Sequence, residues 1–384
     1  MKKITLILFL FFAGLLRAHT VDVRILSTMN ITALNISVHS GDYELYLDGI
    51  PQPDSLSTKV FMITVVGDSM EIRIPGDTLG HFASFKIVAL DDTSSFKIKP
   101  IKPYTGTRIY DHTLEVSVVE QKLLAVNHVD IEHYVAGVVE AEAGKKMDYE
   151  YYKVQAILCR TYALAHMYRH ALEGFDLCDG VHCEVYKGRP TDPNVQKAVD
   201  ATKGLVIVDR NLDLITAAFS SNCGGQTTNS EDVWAVKVSY LRSVKDTFCH
   251  TMPDAYWTRK IAKDDWLNYL SMKHKYPVDD SDACYAALNM TQNTREAYYV
   301  YGNLKIPYKT IRSDWQLRSA WFSIEEGKDS VIFRGRGYGH GVGLCQEGAM
   351  RMVKYGYTYQ YIIPFYFQGV ELIDLSMLDF FKEE

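Results

Sequence analysis

The apolar positions of this chain change period along its length. From 19 to about 125 they form alternating or β-branched runs: VDVRILST, ITALNISVHSG, YELYLDG, VFMITVVGDSMEIRI, ASFKIVALDD and LEVSVVEQKLLAVNHV. Gly, Asp and Pro cut these runs. Alternation buries one face of a strand, and the cutting residues supply turns. The expectation is a β-sandwich or barrel-like platform that carries no chemistry. From 131 to 174 the spacing becomes helical. Asp148 is a candidate N-cap, since its carboxylate can accept from the first unpaired helix N–H groups. Val154, Ile157, Leu158, Ala165 and Tyr168 recur on one face, and Gly174 suits a left-handed C-terminal cap. On this reading Glu142 lies in a tight Gly- and Ala-rich loop just before one long helix. Arg160, Gln155 and Arg169 are polar groups on that helix.

After the helix the pattern predicts a Cys/His loop at 177–188, a short helix at 194–202 and a hairpin in GLVIVDRNLDLITAAFSS. A polar loop, SNCGGQTTNSEDVW, comes next. A helix is expected around 264–270, strands near 310–325 and a strand at 331–333. The chain then enters a Gly-rich stretch, RGRGYGHGVGLCQEGAMRMVKYG, whose end at 346–355 reads as helix. The fold class is α+β, a β-rich N-terminal part (19–125) with a mixed core (126–375) built around the long helix.

The first eighteen residues read as a signal peptide. Lys2 and Lys3 precede an apolar run at 4–16, and Leu16-Arg17-Ala18 is an acceptable cleavage site before His19. The run is shorter than the roughly 20 residues of a membrane span. No Cys follows it to take a lipid, and no other transmembrane candidate appears. The mature chain is expected to be extracytoplasmic, in the periplasm or cell envelope, with no stable membrane span.

A formal charge of −6 leaves no footprint for nucleic acid, whose binding requires Lys and Arg on phosphates. The 26 tyrosines offer rings with polar tips that suit sugars, although most serve cores and interfaces. Seven cysteines, Cys159, Cys178, Cys183, Cys223, Cys249, Cys284 and Cys345, can form disulfides in an oxidising compartment. Their odd number leaves a free thiol, most simply Cys159 within its helix.

Four motifs carry candidate chemistry. YVAGVVEAEAG (134–144) holds Glu140 and Glu142, which alone would read as solvated carboxylates. Cys178, His182 and Cys183 form a compact donor set that suits tetrahedral Zn2+. His170 is the nearest fourth donor, with His166 one turn earlier. A Cys178–Cys183 disulfide or two free thiols is the alternative. FSSNCGGQT (219–227), followed by EDVW, reads as an ordered loop. Gly335 to Gly343 places five glycines in nine positions, an entropic cost that close approach of a ligand to the backbone would justify. The stretch lacks the Lys-Ser/Thr ending of a P-loop, and no spacing supports a Cys345–His340 nucleophile pair.

Taken in order, YVAGVVEAEAG, KVQAILCRTYAL, HCEVYKG, FSSNCGGQT with EDVW and YLRSVKD, and GRGYGHGVGLCQEGA resemble the SpoIID/LytB family. The resemblance runs from about 104 to 357. It implies a peptidoglycan-acting envelope protein, either a lytic transglycosylase on peptide-stripped glycan strands or a stimulator of a cell-wall amidase. It implies Glu142, not Glu140, as the catalytic acid, and Arg160 as an active-site residue. It also implies a structural zinc on two Cys and two His, met here by Cys178, His182, Cys183 and, upstream, His170. Ser220, Ser221, Tyr338, His340 and Gln346 stand as substrate-contacting candidates. The chain departs from the family pattern at Cys345, where Ser is common, and at Ala143-Gly144, where Met-Pro often follows the acid.

One carboxylate suffices for that chemistry. Ordinary glycosidases use two carboxyl groups. A lytic transglycosylase uses the sugar's own C6 hydroxyl as nucleophile, so one group can protonate the leaving oxygen and then deprotonate that hydroxyl. Such an acid needs a raised pKa, which partial burial supplies. A non-catalytic peptidoglycan-binding module that stimulates an amidase is the rival reading. A zinc hydrolase cutting stem peptides is a third.

Overall fold

The computed structural model describes residues 20–52 and 59–382. The expected signal segment, 1–18, lies outside the described residues. The N-terminal part contains strands β1 (Thr20–Ile25), β2 (Ala33–Ser40), β3 (Tyr43–Leu47), β4 (Ile50–Pro51), β5 (Val60–Val66), β6 (Ser69–Ile74), β7 (Asp77–Phe82), β8 (Ser84–Ala89), β9 (Ser95–Lys102), β10 (Arg108–Asp111), β11 (Thr113–Val119) and β12 (Lys122–Asp130). With β13 (Leu177–Cys178) they make a seven-stranded sheet, β13-β1-β12-β11-β8-β3-β4, and a six-stranded sheet, β10-β9-β2-β5-β6-β7. Alternate residues such as Val21, Val23 and Val116 in one sheet and Ile36 and Ile63 in the other are buried. Phe61 and Phe85 meet edge-on at 5.2 Å across the interface. The two inner faces thus close as a sandwich, and the fold is α+β. Strand β1 also pairs in parallel with β13, Arg24 opposite Cys178, which anchors the Cys/His loop to the sandwich.

The stretch read as a loop and one long helix holds two helices, α1 (Ile131–Ala143) and α2 (Tyr149–Ala165). Asp130 caps α1 by accepting from the Glu132 N–H at 2.8 Å. Ile131, Tyr134, Val135, Val138 and Val139 then recur at helical spacing and are buried, so Glu142 stands on the last turn of α1, not in a loop. Gly137 looks like a breaker, but it lies where a Cβ would collide with Gly188 O and the Tyr186 ring. Its role is close packing. Asp148 occupies the N-cap of α2 without a side-chain bond, and the helix ends at Ala165. Tyr168, expected on the buried face, is exposed and has φ of 69°. Gly174 is left-handed, but it closes a separate short turn, Ala171–Glu173.

A third helix, α3 (Pro193–Asp200), follows. The expected hairpin is reduced to one bridge, Val208 to Leu214, because Leu205–Val208 takes Glu371–Asp374 as its ladder partner. Phe219–Ser220 pairs in parallel with Leu344–Cys345 and so joins the two Gly-rich loops. Residues 256–336 carry a core of their own around Trp266, Phe322 and Phe333. There the strand expected near 310–325 is confined to Phe322–Glu326, while Tyr308–Asp314 is a helix with Pro307 at its N-cap. Among the described residues no helix is long and apolar enough to cross a membrane.

Candidate functional site

Glu142 opens onto a cleft of about 540 Å³ lined by Tyr162, His182, Val185, Phe219, Trp234 and His340 among others. A cavity of about 560 Å³ on the sandwich holds none of the candidate residues. The end of α1 presents the carboxyl, and the loop after Cys183 fixes it: the Val185 N–H donates to Glu142 Oε1 at 3.1 Å. Burial raises the Glu142 carboxyl above its ordinary range. The Val185 bond and the positive charge of Lys187 pull partly the other way. A half-buried carboxyl that holds its proton can act as an acid.

Beside it in the cleft lining is Glu184, which sequence reasoning missed. It is 4 % exposed, and no donor reaches either oxygen in hydrogen-bonding geometry among the described residues. Burial, then the neighbouring Glu142 charge, push its carboxyl well above the ordinary range. Glu184 also lines the cleft, but from a nearly buried position, so burial disfavours its charged form. Its only sequence signal is its place between Cys183 and Val185. Glu140, two residues before Glu142, is rotated about 200° around the helix. It accepts from the Thr191 and Asp192 N–H groups at 2.7 Å and so ties a loop to α1.

The structure does not bring Arg160 to Glu142. Arg160 has no exposed surface. Its Nε donates to Glu132 Oε1 at 2.9 Å, and its Nη1 to Leu205 O at 3.1 Å. The resemblance implies an active-site role for Arg160; its partner here comes from the start of α1. Among the substrate-contacting candidates, His340 lines the cleft. Its Nδ1 accepts the Val342 N–H at 3.0 Å, and burial followed by Arg312 pushes its pKa down to about 4. The ring is neutral at pH 7. The other candidates lie outside the cleft lining. Ser220 is buried and accepts from the Gly341 N–H at 3.2 Å. Ser221 donates to Asp254 Oδ2 at 2.7 Å. Tyr338 is exposed beneath Arg318, 5.3 Å from guanidinium to ring. Gln346 is half-buried, with Nε2 unpartnered among the described residues. Trp234, which no motif argument selected, is 42 % exposed with its ring 5.2 Å from His340. The EDVW sequence was its signal.

Beside the cleft, ligand atoms of His170, Cys178, His182 and Cys183 all lie within 4.8 Å of one another. Cys183 Sγ is 3.5 Å from His170 Nε2 and 3.8 Å from His182 Nδ1. The other His170 nitrogen, Nδ1, is 2.5 Å from Glu173 Oε1, the carboxylate contact that orients metal-ligating imidazoles. His166 is not part of this cluster; its Nδ1 bonds Tyr162 O at 2.8 Å. Four protein donors of this type fit a tetrahedral Zn2+ and leave no open position.

Residues 119–208, which span α1, α2 and the Cys/His loop, match the family model described as stage II sporulation protein, SpoIID. An uncharacterized protein of Brachyspira hyodysenteriae is 30% identical over 67% of this chain and 70% of its own length. The stage II sporulation protein D of Bacillus subtilis is 29% identical over 65% of this chain and 76% of its own. The amidase enhancer of Bacillus subtilis is 27% identical over 62% of this chain and 40% of its own. With that cover and the family model on its helical core, the chain belongs to the SpoIID/LytB family.

Proposed function

We propose that the protein is an extracytoplasmic lytic transglycosylase that cleaves MurNAc–GlcNAc bonds of peptidoglycan glycan strands, with peptide-stripped strands as the favoured form. The observation that carries this reading is Glu142, a half-buried carboxyl of raised pKa facing a cleft, while the neighbouring carboxyl, Glu184, is buried. Hydrolysis would call for two working carboxyl groups flanking the bond. Transglycosylation calls for one. Protonated Glu142 gives its proton to the glycosidic oxygen as the C1–O bond breaks. The resulting carboxylate takes the proton of the C6 hydroxyl as O6 bonds to C1, which closes the 1,6-anhydro ring and restores the acid. The Val185 N–H holds the carboxyl in place through both halves. Trp234 offers a face for a sugar ring, and neutral His340 can hydrogen-bond without charge.

His170, Cys178, His182 and Cys183 would hold Zn2+. Bound there, the ion supplies a clamp on the loop that runs on to Glu184 and Val185. The second reading, a peptidoglycan-binding protein that stimulates a cell-wall amidase, is favoured by the likeness to a relative named amidase enhancer. The two readings separate on the acid. Glu142→Gln should reduce release of anhydro-ended product about 10³-fold, and Glu140→Gln should stay within about tenfold of wild type. Equal activity in wild type and Glu142→Gln would remove the enzymatic reading.

A further inference from the structure

Three of the remaining cysteines converge with an aspartate, none of the four among the residues that line the cleft. Cys223, Asp246, Cys249 and Cys345 are each fully buried, and their ligand atoms lie within 4.8 Å of one another. They come from three separate places in the chain. Cys223 follows the strand Phe219–Ser220, Asp246 and Cys249 flank the entry to the short turn Cys249–Thr251, and Cys345 is the N-cap of the helix Gln346–Lys354. We propose that this cluster is a second, structural metal site, a Cys3Asp centre for Zn2+ that staples the two Gly-rich loops together.

The spacing suits that ion. Tetrahedral Zn2+ with bonds of about 2.3 Å to sulfur and 2.0–2.2 Å to oxygen puts ligand atoms about 3.8 Å (S to S) and 3.5 Å (S to O) apart. Cys223 Sγ is 3.6 Å from Cys249 Sγ and 3.3 Å from Asp246 Oδ2. The surroundings match those of a ligated centre. Cys345 Sγ accepts the Cys223 N–H at 3.2 Å and the Gly348 N–H at 3.3 Å, which fixes its position. Asp246 is oriented from both sides, with Oδ1 accepting the Phe248 N–H at 2.8 Å and Oδ2 the Tyr366 hydroxyl at 3.0 Å. Ligands held by outer hydrogen bonds are the usual design of metal sites. A Cβ on Gly348 would collide with Asp246 Oδ2 and the Tyr366 hydroxyl, so a glycine there lets the helix start close on the cluster. Arg295 donates to Cys223 O at 3.1 Å and to His340 O at 3.1 Å. It brings a positive charge to what would be an anionic centre and ties it to a cleft residue.

A disulfide accounts for less. Joining Cys223 to Cys249 would leave Cys345 Sγ and the Asp246 carboxyl, both fully buried, gathered at the same point with no part in the bridge. Three thiolates also select zinc over calcium or magnesium, which prefer oxygen donors.

Elemental analysis of the full chain, purified from zinc-supplemented cultures, tests the proposal. The Cys178→Ser/Cys183→Ser variant isolates the second cluster and should retain one equivalent of zinc. The Cys223→Ser/Cys345→Ser variant should carry one equivalent less than wild type. If the latter variant does not fold, Co2+ added to metal-free Cys178→Ser/Cys183→Ser protein gives the answer. Intense thiolate-to-cobalt charge-transfer absorption is expected, and its absence would overturn the proposal. So would a Cys178→Ser/Cys183→Ser protein without zinc, or a wild-type chain whose intact mass shows a Cys223–Cys249 disulfide. Loss of zinc from the first cluster alone would count against the Cys/His clamp and leave this inference standing.

Discussion

Glu142 and Arg160 belong to one continuous stretch of sequence and stand in opposite environments. The carboxyl is half-buried at the mouth of a cleft, held by a single backbone N–H, and burial raises its pKa. The guanidinium is sealed in the interior between α1, α2 and the Leu205 strand, with Glu132 and two backbone carbonyls filling its donors. One group is placed to exchange protons with a ligand. The other joins the first turn of α1 to α2 and so fixes where the last turn of α1, with Glu142, projects. A residue in a family motif can thus serve the chemistry at one remove, through the helix that presents the acid.

Removing the interior cation should give the largest change. Arg160→Ala leaves the Glu132 carboxylate buried without its partner, at a cost of about 3–5 kcal/mol, read as a fall in the urea midpoint. Replacing both partners, Glu132→Leu with Arg160→Met, should recover most of that loss. An Arg160→Ala protein of wild-type stability that is nonetheless inactive would erase the distinction drawn between the two residues.

At the Cys/His cluster, Glu173→Gln weakens the contact that orients His170. Zinc affinity at the Cys/His cluster should fall about 10–100-fold in a chelator competition, with unchanged stability of the β-sandwich. Trp234→Ala removes an exposed ring facing the cleft. It should raise KM for glycan strands about 3–10-fold with kcat nearly kept, as loss of ground-state and transition-state binding alike requires. Lys187→Ala gives the smallest effect. Lys187 favours the ionised form of Glu142, so its removal raises that pKa further. Activity needs the protonated acid and falls as pH rises through its pKa. The alkaline limb of kcat/KM should therefore move up by a fraction of a unit.

The sequence was legible where local pattern decides structure. Period-2 runs announced the sandwich, and two Cys and one His within six residues announced the metal-type cluster, with His170 completing it in space. It was less legible where packing overrides local signals. The Gly- and Ala-rich composition suggested a loop, yet the close approach of Gly188 O and the Tyr186 ring demands Gly137 inside α1. The partner of Arg160 was hidden because Glu132 meets it from another helix. Ser220 and Tyr338 stood out in two Gly-containing loops that pair with each other, Asn222 bridging to Tyr338 and Thr228 to Val342. Glu184 was invisible because burial is a property of the fold.

The most direct measurement is the chemistry of the ends. Peptide-free glycan strands are incubated with the purified chain, and the products are weighed by mass spectrometry. The account predicts 1,6-anhydro ends, one water lighter than reducing ends. Reducing ends would mean hydrolysis with a second working carboxylate, and intact strands together with a stimulated amidase would mean that Glu142 is not a catalyst; either result contradicts it.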